Sequence, residues 1–126
     1  MSKAILKAVS DGLSSIGINY EFEMWTDAPA YPYFVGEYQG IEPLNEDGMQ
    51  EISFLLTGFT RDKYITLENA REQIENLFNP IAGYKAVTDD SVIAIFYAST
   101  LANLPTGDAE LKKIQINLTI KEWKVI

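Results

Sequence analysis

The chain predicts an α+β fold: a mostly antiparallel β-sheet with two helices packed on one face, in the order α-β-β-β-α-β-β-β. Three observations lead there. Apolar residues recur at helical spacing in two segments. Elsewhere they alternate with polar residues in short runs. Turn chemistry separates the runs, and no linker or low-complexity tract divides them. Runs of strands interrupted by single helices are the pattern of an antiparallel sheet with helices on one side. The 126 residues fit one domain, 1–126, since single domains cluster at roughly 100–150 residues.

The first element is a helix. Ile5, Leu6, Val9, Leu13 and Ile16 share one face, Ser2 is the candidate N-cap, and Gly17 is the expected stop. Gly12 weakens it. Residues 18–25 alternate as a half-buried strand, with Ile18, Tyr20, Phe22 and Met24 on one face and Asn19, Glu21, Glu23 and Trp25 on the other. Thr26 to Ala30 and Pro32 break it. A second strand runs from Tyr33 to Gln39, and residues 41–48 are turn chemistry. Met49 to Thr60 is a third strand, with Ile52, Phe54 and Leu56 on one face and Leu55 and Phe59 on the other.

The second helix starts with Thr66 as its expected cap. Its apolar stripe is Leu67, Ala70, Ile74, Leu77 and Phe78, and Asn79-Pro80 stops it. A hairpin follows: a strand at Tyr84–Val87, a turn at Thr88-Asp89-Asp90, and a strand at Ser91–Ser99. That second strand is apolar on both faces, which places it centrally or in an interface. The long last strand, Leu111 to Trp123, points Ile114, Ile116, Leu118 and Ile120 inward and Lys113, Gln115, Asn117, Thr119 and Lys121 outward.

Composition narrows the function. With 47% hydrophobic residues the chain has enough apolar side chain for a core. It has no cysteine, so disulfides, thiol nucleophiles and Cys–zinc sites are excluded. It has no histidine, which removes the usual general base at neutral pH. The serines therefore lack an activating partner. Asp89-Asp90 reads as a turn, because adjacent carboxylates rarely converge on one cation. Glu21 and Glu23 read as a solvated strand face. No catalytic residue, cofactor or metal is expected. The opening Met1-Ser2-Lys3-Ala4-Ile5-Leu6 lacks the pattern of a secretory leader. No run approaches the ~20 apolar residues of a membrane span, so a soluble cytosolic chain is expected.

The net charge is −8 and unevenly spread. Residues 1–60 hold two lysines against nine acids, and residues 61–126 hold eight bases against nine acids. Glu37, Glu42, Glu46, Asp47 and Glu51 form an acidic stretch with no base among them. Lys112, Lys113, Lys121 and Lys124 stand near the end. An acidic patch on one copy can meet a basic patch on a neighbour. Direct nucleic-acid binding is disfavoured, because an acidic domain repels phosphate. Trp25, Tyr31, Tyr33, Phe34 and Tyr38 crowd one region, and aromatics of this kind anchor protein interfaces. The candidate interface residues are Trp25, Tyr31, Tyr33, Glu42, Glu46, Asp47, Lys112, Lys113 and Lys121.

A short helix precedes the strand Tyr20–Trp25. The strand Glu51-Ile-Ser-Phe-Leu-Leu-Thr-Gly-Phe-Thr-Arg61 leads into a second helix. The chain then runs through Leu111-Lys-Lys-Ile-Gln-Ile-Asn-Leu-Thr-Ile-Lys-Glu-Trp123. Together these resemble the tail-terminator or tail-completion proteins of long-tailed bacteriophages infecting Gram-positive hosts. The resemblance spans nearly the whole chain. It implies a structural protein that caps the tail tube and forms the head–tail joining surface as a ring, usually six-fold. It implies contacts with further copies and with tail-tube or head-connector proteins. The place implied is the host cytoplasm during assembly and then the virion neck. The alternative reading is a small acidic protein-binding or regulatory module without catalytic activity.

Overall fold

The computed structural model describes residues 3–22, 31–43, 48–102 and 104–124. Helix α1 spans Lys3–Ser15 and α2 spans Tyr64–Leu77. The strands are β1 Tyr20–Phe22, β2 Tyr33–Ile41, β3 Met49–Thr60, β4 Tyr84–Val87, β5 Ser91–Leu101 and β6 Lys112–Lys124. They form one curled sheet in the order β1-β2-β3-β6-β5-β4. The α+β architecture and element order match the sequence expectation.

The sheet is built around β3 and β6. They pair antiparallel over twelve residues, from Met49↔Trp123 to Thr60↔Lys112. Alternation sends Ile52, Phe54 and Leu56 of β3 and Ile114, Ile116, Leu118 and Ile120 of β6 to the same side, where all are buried. Glu122 continues that inward row and is itself fully buried. Nearby, burial raises the pKa of the Tyr38 hydroxyl, and the Glu122 carboxylate raises it further.

Both helices cover this inner side. Helix α2 lies against β3 and β6, and α1 touches β1 and β5. Ile5, Val9 and Leu13 from α1 and Leu67, Ile74 and Phe78 from the α2 segment enter one core with the strand residues. Leu77, at the edge of the expected stripe, is only partly buried. Gly12 has a packing reason. It is buried, and a Cβ there would stand 3.3 Å from the Phe78 ring.

The end of α1 is a Schellman cap. The Gly17 N–H donates to the Ser14 carbonyl at 3.1 Å, and the Ile18 N–H donates to the Leu13 carbonyl at 3.0 Å. Gly17 takes φ +75°, as the motif requires. Ile18 therefore belongs to the cap, and the first strand begins at Tyr20 rather than at residue 18. The proposed strand positions 23–25 and the Ser2 cap lie outside the described residues.

Two further expectations are corrected, and one pairing adds detail to the mostly antiparallel sheet. Thr66 does not cap α2: the N-cap is Lys63, three residues earlier, and the Thr66 hydroxyl donates to Asp62 Oδ2 at 3.3 Å. The pairing of β1 with β2 is parallel, from Tyr20↔Phe34 to Phe22↔Gly36. Strand β5 runs on to Leu101, past a bulge between Tyr97 and Ser99. At that bulge the Tyr97 N–H donates to the Phe78 carbonyl at 2.7 Å, tying the sheet to the end of α2. The hairpin turn holds as expected. Thr88 N–H donates to the Ser91 carbonyl at 2.9 Å, and Ser91 N–H donates to Thr88 Oγ1 at 3.0 Å.

Two strand glycines make room for rings. A Cβ at Gly36 would lie 2.7 Å from both Phe54 and Tyr20 ring atoms, and one at Gly58 would collide with Phe34. Two stability predictions follow from this packing. Gly36→Ala is expected to destabilise the fold by roughly 1–3 kcal/mol through overpacking. Ile74→Ala is expected to cost roughly 2–5 kcal/mol through a cavity under α2. Chemical denaturation of both variants checks them, and changes below about half a kcal/mol would contradict this account of the core.

Candidate functional site

With α1 and α2 on the inner side, the opposite side of the sheet carries neither helix. Its side chains are the outward-pointing alternates of every strand. On β3 these include Glu51, Ser53, Leu55, Thr57 and Phe59, and on β6 Lys113, Gln115, Asn117, Thr119, Lys121 and Trp123. The face is not uniformly polar. Val87 is 76% exposed and Leu101 55% exposed, and Trp123 is 36% exposed. Leu55, in the middle of the face, is buried by its neighbours.

An aromatic ladder crosses one end of this face. The rings of Tyr31 and Tyr33 are 5.5 Å apart, and Tyr33 stacks on Phe59 at 5.2 Å. The ladder follows from register, since Tyr33 on β2 is the direct partner of Phe59 on β3. Phe59 in turn faces Lys113 on β6, whose ammonium sits 5.9 Å from the ring centroid. A similar contact recurs at the other end, where the Lys121 ammonium lies 5.8 Å from the Phe96 centroid.

The ladder is tied to the loop before β6. Arg61 Nε donates to the Tyr31 hydroxyl at 3.3 Å, and Arg61 Nη1 meets Asp108 Oδ2 at 2.8 Å. The loop is shaped by Thr106, whose single hydroxyl proton is shared between the Asp108 and Leu111 carbonyls, 2.8 and 2.9 Å from Oγ1. Gly107 supplies the positive φ that this turn needs. Backbone donation from Glu110, then the Arg61 guanidinium, holds the Asp108 carboxyl below the usual aspartate range.

The candidate interface residues are therefore divided. Tyr31, Tyr33 and Lys113 meet in one cluster, and Lys121 shares their face but stands eight residues further along β6, roughly 27 Å away. Lys112 has the opposite strand parity, and its ammonium reaches the Glu110 carbonyl at 3.4 Å. Glu42 is exposed beyond β2, where its N–H donates to the Glu51 carbonyl at 2.9 Å. Trp25, Glu46 and Asp47 lie outside the described residues. Phe59, Phe96, Lys85 and Arg61 belong to the face or its rim and were not among the candidates. Strand parity was the available signal for the first three, and Arg61 gave none, because its partners are distant in sequence.

Hollows lined by described residues lie elsewhere. One, on the polar side of α2, is lined by Arg71, Glu72, Glu75 and Asn76. Arg71 there already pairs with Glu68 and with Glu75. Another lies between α1 and β4, with Ala8 and Ala86 among its lining residues and the Lys7–Asp11 ion pair beside them. Among the described residues no three carboxylates converge as a metal cage would require. Among them too, no helix is long and apolar enough to cross a membrane. No protein-family model matches the sequence, and no curated protein does either.

Because Asp108 is depressed, its ordering effect on the loop is present above the ordinary aspartate pKa near 3.9 and is lost as pH falls through the lower folded value. Carboxyl chemical shifts followed against pH are expected to place Asp108 below the ordinary aspartate range. Arg61→Ala is expected to move it upward. An unchanged Asp108 titration in that variant would contradict the tether.

Proposed function

We propose that the chain is a structural virion-assembly protein of the tail-terminator type, one that self-associates into a ring and joins tail-tube or head-connector proteins. The observation that carries this reading is the one-sided sheet. A six-stranded sheet with both helices on one face leaves a broad second face bearing exposed Val87, Leu101 and Trp123 together with lysines and glutamates. Exposed apolar side chains rimmed by charge are the composition of protein-binding surfaces. The aromatic ladder with Arg61 at its edge adds the residue types that dominate interface energetics. The α+β element order agrees with the resemblance that suggested this role.

The test is the mass of the purified chain over a concentration series by native mass spectrometry, alone and with a tail-tube protein of such a phage. A discrete ring, alone or on the tube, is the expected result. A chain that stays monomeric and ignores the tube would overturn the reading and favour the small acidic binding module.

A further inference from the structure

Both edges of the sheet direct main-chain groups away from it. At one edge Thr88 N–H donates to the Ser91 carbonyl, so Thr88, Ala86 and Tyr84 turn their main chain toward β5. Alternation then turns the N–H and C=O of Lys85 and Val87 outward. The hollow lined by Ala4, Ala8, Ala86 and Val87 lies between this edge and α1. At the other edge the Asn19 carbonyl accepts from Phe34 N–H. Asn19 and Glu21 therefore face β2, and the main chain of Tyr20 and Phe22 points outward. Edges of this kind are templates for another strand.

We infer that these two edges pair with each other between copies: β4 of one copy adds in parallel to β1 of the next, and the sheet runs on around a ring. Direction fits. Strands β1, β2, β6 and β4 run one way, and β3 and β5 the other. Rotation about a ring axis keeps strand direction, so β4 meets β1 in parallel, as a head-to-tail cyclic contact requires. Parity fits as well. In a parallel ladder, a residue whose main chain points at the new partner sits opposite one whose main chain points away from it. That sets Lys85 opposite Glu21, with the Lys85 N–H on the Tyr20 carbonyl and the Phe22 N–H on the Lys85 carbonyl. Both side chains are on the open face, because Glu21 shares the row of Gln115 and Lys85 the row of Lys121. Opposite charges then stand side by side across the contact. Antiparallel addition would set Lys85 against Tyr20 or Phe22, whose side chains lie on the inner face, and would turn the neighbour's helices to the other side.

The two edges lie at different levels, and a closed ring uses that offset. The rows of Gln115 and Lys121 are ~20 Å apart along β6 at ~3.3 Å per residue, and six strands at ~4.8 Å make one copy ~29 Å wide. Strands inclined by ~35° to the ring axis bring the edges level, and closed sheets incline their strands by about 35–45°. The same contact draws apolar groups of the open face together. The Phe96 ring lies over Gly83, just before β4, where a Cβ would stand 2.7 Å from it. Two residues before Lys85, Gly83 falls opposite Asn19, which is level with Tyr33 on β2. Phe96 of one copy is thereby turned toward the Tyr33–Phe59 ladder of the next. The inference rests on the self-association in the proposed function and names the contact that closes its ring.

The chain has no cysteine, so an introduced pair reports one contact. Glu21→Cys and Lys85→Cys are made singly and together, with circular dichroism to verify each fold. Strands ~4.8 Å apart hold opposite Cα atoms within disulfide reach. Mild oxidation of the double variant, alone and with a tail-tube protein, is expected to give a ladder of linked chains that ends at the ring and collapses on reduction. Each single variant is expected to stay unlinked. Val87→Pro removes an outward N–H and leaves the β4–β5 ladder intact. Sedimentation velocity is expected to show self-association at least about tenfold weaker in that variant, since main-chain bonds supply the affinity of an added strand. Linked dimers of a single variant would mean that an edge pairs with its own kind, and would overturn the inference. Rings of the double variant that oxidation leaves unlinked, or Val87→Pro rings as tight as the wild type, would overturn it too and leave the assembly reading standing. Chains that stay monomeric and unlinked in both settings would overturn both.

Discussion

The antiparallel pairing of β3 with β6 is the constraint on which the rest of the structure depends. These two strands are the longest and lie at the centre of the sheet. Their inward rows supply Ile52, Phe54, Leu56 and four residues of β6 to a single core. Helix α2 packs on this pair, and the outer strands add to it from both sides. A register slip of one residue would turn the buried isoleucines to solvent and Lys113 and Lys121 into the core. The register also fixes the outward row. The same pairing that builds the core therefore aligns Phe59 with Lys113 and Glu51 with Lys121.

The proposed function rests on what the helices leave uncovered. A sheet with one layer of helices has two chemically different sides. Here the inner side is closed by α1 and α2, and the outer side combines apolar and charged groups. The chain path sorts the charges. Residues 20–60 form the strands on one side of the seam and residues 84–124 those on the other. An uneven charge between the two halves of the sequence thus becomes an uneven charge across one surface.

Much of the fold was legible because its signals are periodic. The alternation from Ile114 to Ile120 and the helical stripe through Leu67, Ala70 and Ile74 give strand and helix directly, and both are buried as expected. Gly17 was legible as a cap because a positive φ is needed there. The parallel pairing of β1 was not, because direction depends on tertiary path and not on local pattern. The start of α2 was misplaced because Thr66 is a good cap by type, while the chain instead enters the helix at Lys63 with no side-chain cap. Glu122 occupies an inward position by simple parity and is buried, a placement its charge does not signal. Of the candidate site, Tyr33 and Lys113 were visible individually. Their link through Phe59 was not, since it requires the register of three strands.

The central claim is that the open sheet face is the surface this protein uses to meet its own kind. Oxidative side-chain footprinting across a concentration series tests it most directly. The account predicts that Tyr33, Phe59, Phe96 and Trp123 become protected together as the chain associates, while Ile65 on the exposed side of α2 stays reactive. Protection at Ile65, with the open-face aromatics unchanged, would place the contact on the helical side and contradict the account.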